Sequence, residues 1–242
     1  MLSTFAEGRV FGDTYGRGDT ARVVALHGWG RTHADFDAVL AGCDAIALDL
    51  PGFGATPPPP TAWGSPEYAA LVADVLRALP EPAVVVGHSL GGRIGVHVAA
   101  SYPELVRGLV LTGAPIIRVS AGAKPKSGYR IVRWLHQRGV ISDARMEAAR
   151  QKYGSADYAN ASPEMRAVFV KLVAENYDDA IAAIRCPLRL VWGDDDTAAP
   201  LAVAQQLAQR TSAPLTVVPG AGHMTPLTAT DALRVAIKDL CA

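Results

Sequence analysis

The chain has 242 residues, half of them apolar and 19% charged, which suits one substantial domain with a large core and argues against global disorder. Lysine plus arginine and aspartate plus glutamate number 23 each, so no overall positive field points to nucleic acid or an anionic membrane as partner. Cys43, Cys186 and Cys241 are far apart, without the spacing of a zinc site or a disulfide framework, and the N-terminal residues reach a charge before any apolar signal region develops. A cytoplasmic protein is the expectation, with no metal or cofactor site signalled.

In chain order, short aliphatic runs alternate with longer amphipathic stretches. Strands are predicted at 22–26, 45–48, 83–86, 109–111, 188–192 and 215–218, each ending at Gly, Pro, Asp or His. Between the second and third, Ser65 and Pro66 open a helix whose apolar stripe, Leu71, Val75 and Leu79, stops at Pro80. An amphipathic helix follows from Leu90, and two more are predicted at 200–209 and 230–240. This alternation describes a mostly parallel sheet covered by helices on both faces. It breaks after Pro115 and resumes at Pro187, so 115–186 is the candidate for an inserted helical cap, and 1–114 with 187–242 for the core. The first part of the cap carries Arg118, Lys124, Lys126, Arg130, Arg133 and Arg138 before any acid appears.

Four strand ends carry chemistry. Val86-Gly87-His88-Ser89-Leu90-Gly91 runs from a β-branched strand into a helix through G-x-S-x-G, a turn so tight that side chains at Gly87 and Gly91 would meet neighbouring backbone. Ser89 is lifted above the sheet at a helix start, where the Leu90 amide faces any developing oxyanion. Leu26-His27-Gly28-Trp29-Gly30 ends another strand in a glycine turn, and the Trp29 amide is the second donor of choice. His27, at a strand end beside that turn, is read as a prop for the loop rather than a base. Trp192-Gly193-Asp194-Asp195-Asp196 offers three carboxylates past a strand's C-terminal end, and spacing alone does not choose among them. Gly220-Ala221-Gly222-His223-Met224 places a histidine on a glycine-rich loop before the final helix, a mobile setting that suits a base.

Together with Asp49-Leu50-Pro51-Gly52-Phe53-Gly54, these motifs resemble the α/β-hydrolase superfamily over nearly the whole chain, the cap matching least. The resemblance implies an α/β, mostly parallel, doubly wound sheet with a small helical cap inserted after the sixth strand. It implies Ser89 as nucleophile, His223 as base and Asp196 as the acid, with Asp195 in reserve, and the amides of Trp29 and Leu90 as an oxyanion hole. Within the superfamily the motifs are most similar to cofactor-free carboxylesterases, including those of the biotin-pathway methyl-ester type. Arg93 resembles the menaquinone-pathway lyase that abstracts a proton from an anionic substrate, although His88 stands where that family has tyrosine. A C–C hydrolase of the meta-cleavage type is less similar, because Met224 follows the histidine where tryptophan is usual.

The expected reaction is cleavage of a small to medium carboxylic ester through an acyl-enzyme on Ser89. Proton abstraction or C–C or thioester cleavage on the same residues is the alternative, and a non-catalytic ligand receptor of the same fold is the alternative of another class. Gly28, Phe53, His88, Arg93, Arg130, Trp134 and Met224 are the candidate substrate contacts, with Arg133 and Lys126 beside Arg130 as candidate grips for an anionic group. The partner is a small-molecule ester, with a monomer or homodimer as the assembly.

Overall fold

The structure, a computed structural model, describes residues 2–119, 127–153 and 155–242. Among these, eight strands form one sheet in the order β1-β2-β4-β3-β5-β6-β7-β8. They are β1 Leu2–Phe5, β2 Val10–Tyr15, β3 Val23–Leu26, β4 Ala45–Asp49, β5 Ala83–His88, β6 Val106–Thr112, β7 Leu188–Gly193 and β8 Leu215–Val218. All six predicted strands are present. The ribbon β1–β2, antiparallel within itself and to β4, is an addition. Its residues are mostly half-exposed at a sheet margin, so no continuous apolar run marks it in the sequence.

The helices are α1 Asp37–Leu40, α2 Ser65–Arg77, α3 Leu90–Ser101, α4 Ser127–Gln137, α5 Asp143–Tyr153, α6 Ala156–Asn160, α7 Pro163–Ala174, α8 Asp178–Ala183, α9 Leu201–Thr211, α10 Thr225–Thr228 and α11 Thr230–Cys241. The central strands are buried on both faces because their side chains alternate between two cores. Val24, Leu26, Ile46, Leu48, Val85, Leu109 and Leu111 join α2, α3 and α9 on one side. Val23, Ala25, Ala45, Ala47, Val84, Val86 and Val110 join α1 and α11 on the other. Unbroken aliphatic runs are the sequence consequence of that double burial. Each such valine or leucine contributes about 1.5–3 kcal/mol relative to exposure.

From β3 the chain moves outward to β4, then crosses back so that β5 pairs the other side of β3, Leu26 opposite Gly87. This reversal of winding opens a crevice beyond the carboxyl ends of β3 and β5, the usual ligand position in open α/β sheets. Between β6 and β7 the chain leaves the sheet for α4 to α8. Among the described residues no helix is long and apolar enough to cross a membrane.

Candidate active site

Ser89 links β5 to α3 with φ 51 and ψ −107, a conformation that side chains rarely adopt and that persists only when its surroundings over-determine it. Here they do. The Ser89 amide donates to the Thr112 carbonyl at 3.0 Å, the Gly91 amide donates to the His27 carbonyl at 3.0 Å, and the Gly92 amide donates back to Ser89 at 3.1 Å. A Cβ on Gly91 would lie 2.0 Å from the Leu26 carbonyl oxygen, and one on Gly87 would lie 2.5 Å from that of Gly91, so neither site accepts a side chain.

His223 brings its Nε2 to 3.1 Å from Ser89 Oγ, and its Nδ1 lies 2.8 Å and 3.0 Å from the two oxygens of Asp196. The three aspartates are now distinguishable. Asp194 and Asp195 are exposed, and Asp194 accepts the Gly220 amide at 2.7 Å; Asp196 is buried and accepts the amides of Ala198 and Ala199 at 2.9 and 2.8 Å. Those two donors and the imidazole satisfy a carboxylate that burial would otherwise penalise. Gly113, at φ +57, lets the chain pass beneath, since a Cβ there would meet His223 at 3.1 Å. Such a relay can move a proton from the hydroxyl to the imidazole while the carboxylate fixes the tautomer.

The glycine turn after β3 lies against this group. His27 is fully buried, its Nδ1–H donating to the Gly28 carbonyl at 2.7 Å and its Nε2 accepting the Leu50 amide at 2.9 Å, so it props the turn as read from the sequence. The amides of Trp29 and Leu90 donate to no acceptor among the described residues. Asp49 fastens the neighbouring loop through the amides of His33 and Ala55, both at 2.9 Å, and the His33 Nδ1 at 2.8 Å. Burial alone would raise the Asp49 carboxyl, but those donors hold it below its ordinary value.

His88 is equally buried. Its Nε2–H donates to the His223 carbonyl at 2.9 Å, while its Nδ1 has no hydrogen-bond partner among the described residues and sits where a Cβ on Gly28 would come within 2.9 Å. Burial pushes both the His27 and His88 imidazoles down to about 4, and nearby His223 adds to the shift of His88. Because the unfolded chain takes up these protons near pH 6.5 and the folded chain refuses them until about pH 4, stability is full above the first value and falls toward the second. The loss is on the order of 3 kcal/mol per histidine. The urea midpoint at a pH of about 4.5 should lie well below that at about 7.5. An unchanged midpoint would mean that both rings are hydrated.

A cavity of about 380 Å³ opens over Ser89. Gly28, His88, Arg93 and Met224, four of the candidate substrate contacts, line it. Phe53 does not; it packs edge-on against His27 and Trp29 and lines an adjoining cavity instead. Trp134 is a correction. It is half-exposed on α4 with the Arg138 guanidinium 4.2 Å above its ring, and it does not line the Ser89 cavity. Arg133 is exposed and also absent from the cavity wall, and Arg118 donates to the carbonyls of Ala174 and Glu175. Lys124, Lys126 and the side chain of Arg130 fall outside the described residues. Sequence reasoning missed Arg31, Pro115, Asp157, Phe169, Leu172, Val173 and Ala198, which complete the wall. Phe169 and Val173 sit on α7 beside the buried Met165, Val168 and Leu172, and no local motif separates cavity-facing from core-facing apolar residues there.

A model of the alpha/beta hydrolase family matches residues 23–236. The chain belongs to that family. This hydrolase is 32% identical over 224 residues to pimeloyl-[acyl-carrier protein] methyl ester esterase from Chromobacterium violaceum, covering 83% of this chain and 85% of the relative. It is 29% identical over 241 residues to 2-(acetamidomethylene)succinate hydrolase from Mesorhizobium japonicum, covering 89% and 86%. A solved E-2-(acetamidomethylene)succinate hydrolase superposes on it with a TM-score of 0.72 at 25% identity, over 100% of this chain and 99% of that one. A thermophilic esterase from Thermogutta terrifontis, with a TM-score of 0.73 at 21% identity over 100% of both chains, shares the fold.

Proposed function

We propose that this hydrolase cleaves a carboxylic ester of small to medium acyl size, with Ser89 as nucleophile, His223 as base and Asp196 as the residue that orients the base. The observation that carries the reading is the 3.1 Å approach of His223 Nε2 to Ser89 Oγ on a strained turn beside two unpartnered amides. His223 takes the hydroxyl proton, Oγ attacks the carbonyl carbon, and the Trp29 and Leu90 amides hold the negative oxygen. The proton passes to the departing alkoxide, and a water activated by His223 then releases the acid. Relatives that act on a methyl ester support the ester assignment. Residues 115–186 serve as the cap, the partner is a small molecule, and the cytoplasm is the setting, as a monomer or homodimer. Labelling by a fluorophosphonate that stops on Ser89→Ala tests the reading; an unlabelled wild-type chain points instead to a receptor.

A second reading concerns the substrate's charge and the chemistry that an anion invites, proton abstraction or C–C cleavage included. Arg93 supports it, because it lines the Ser89 cavity, its guanidinium donates to the Leu172 carbonyl at 2.9 Å and lies 5.9 Å from the Tyr177 ring centre, and it has no carboxylate partner among the described residues. A charge-assisted hydrogen bond contributes about 1.5–3 kcal/mol, so Arg93→Met should lower kcat/KM for a carboxylate-bearing ester by about 10- to 100-fold relative to a neutral ester of equal length. Equal losses on both esters would restrict Arg93 to holding α7.

A further inference from the structure

The reacting centre has two limbs, and the position of His223 assigns one of them. The leaving oxygen must receive the proton from His223 Nε2, so the alkoxy limb lies on the His223 side of the cavity. The acyl limb is left the remaining wall, which includes Trp29, Arg31 and Asp157. A second cavity of about 460 Å³ begins there. It shares those three residues with the Ser89 cavity and none of His223, Met224 or Ala198. Its own surface combines the apolar Phe53, Ala161 and Met165 with the polar Asn160 and Ser162, and Gly52, at φ +92, packs so closely on Met165 that a Cβ would come within 2.2 Å of the sulfur.

The indole of Trp29 stands where the two spaces adjoin. It meets the Phe53 ring edge-on at 5.0 Å and the Phe169 ring edge-on at 5.0 Å, one from the oxyanion side of the core and one from α7. Each such pair is worth about 0.5–1.5 kcal/mol beyond the area it buries, so the indole is clamped from two sides and acts as a wall.

We propose that the Trp29 side chain is a specificity-determining partition: it limits the acyl group to what the Ser89 cavity holds, and the space beyond it is an acyl-chain subsite closed in the native protein. The substrate class that follows is an ester of a short-chain acid. This inference rests on the acyl-enzyme reading for its assignment of limbs. The backbone amide of residue 29 and its side chain have separate duties, the first toward the oxyanion and the second toward chain length.

The test is the chain-length profile, read in two ways. One is kcat/KM for p-nitrophenyl acetate, butyrate, hexanoate and octanoate; the other is calorimetric binding of the matching free carboxylates to Ser89→Ala protein, which needs no turnover. The native profile should fall with length. Trp29→Ala should raise the octanoate-to-acetate ratio by about tenfold or more in both readings, since even one methylene seated against the Phe53, Ala161 and Met165 part of that wall is worth that order. Ala161→Phe added to Trp29→Ala refills the second cavity and should return the ratio to the native value. Trp29→Leu, a milder change, should move the ratio in the same direction if the alanine variant fails to fold. An unchanged ratio in the alanine or leucine variant overturns the partition, as does a raised ratio that Ala161→Phe leaves in place. If no ester is turned over while carboxylate binding shows the predicted length dependence, the acyl-enzyme reading fails and the partition stands.

Discussion

Ser89→Ala should reduce ester turnover on the order of 10⁶-fold, the scale found when the serine of a serine–histidine–aspartate relay is removed. Stability should be little changed. Replacing the hydroxyl removes one contact, the 3.1 Å approach to His223 Nε2, while the backbone bonds from Ser89 to Thr112 and from Gly92 to Ser89 remain. The strained φ of 51 also persists, because alanine and serine carry the same Cβ. Rates measured on an activated ester, with the far-ultraviolet spectrum and unfolding midpoint of the same sample, separate lost chemistry from lost fold. Turnover within tenfold of the native value would remove Ser89 from the mechanism.

Asp196→Asn should cost about 10⁴-fold in kcat with the fold intact, and Asp195→Asn should leave kcat close to native. The amide oxygen of asparagine can still accept from Ala198 and Ala199, both within 2.9 Å of Asp196 Oδ1. Its NH₂ then faces His223 Nδ1, now 2.8 Å from Oδ2. A donor there turns Nδ1 into an acceptor and leaves the proton on Nε2, where the ring can no longer accept from the hydroxyl. Asp195 is exposed on the same turn, and among the described residues its carboxylate makes no hydrogen bond to Ser89, Asp196 or His223. Equal losses in the two variants would mean that the turn as a whole, rather than one carboxylate, supports the histidine.

Much of this site was legible because its parts fall at strand ends marked by glycine. The steric reason for Gly87 and Gly91 is local, and so is the placement of Ser89 at the start of α3, so a few consecutive residues carry the whole signal. The choice of Asp196 over its two neighbours was not local in that sense. The resemblance to a family pattern implied it; burial and the two amides from Ala198 and Ala199 give it a physical basis. The cavity wall was the least legible part. Phe169 and Val173 belong to a helix whose periodicity describes one apolar face, and that face is divided between core and cavity only when α7 is laid against α3 and the turn after β3. Trp134 misled for the same reason: an aromatic residue in the inserted segment is as ready to pack under an arginine as to face a ligand.

The amino-acid sequence by itself determined the doubly wound sheet, since side chains that alternate between two cores require runs that are apolar throughout, and it determined which strand ends could carry a hydroxyl, an imidazole and a carboxylate. Only the tertiary structure decided that these groups, separated by up to 134 positions, lie within hydrogen-bond reach, and that Trp29 stands between two cavities. The division has a physical cause. Strand and turn preferences are set by neighbours a few residues away, whereas reach and cavity shape depend on how helices from distant segments settle against the sheet.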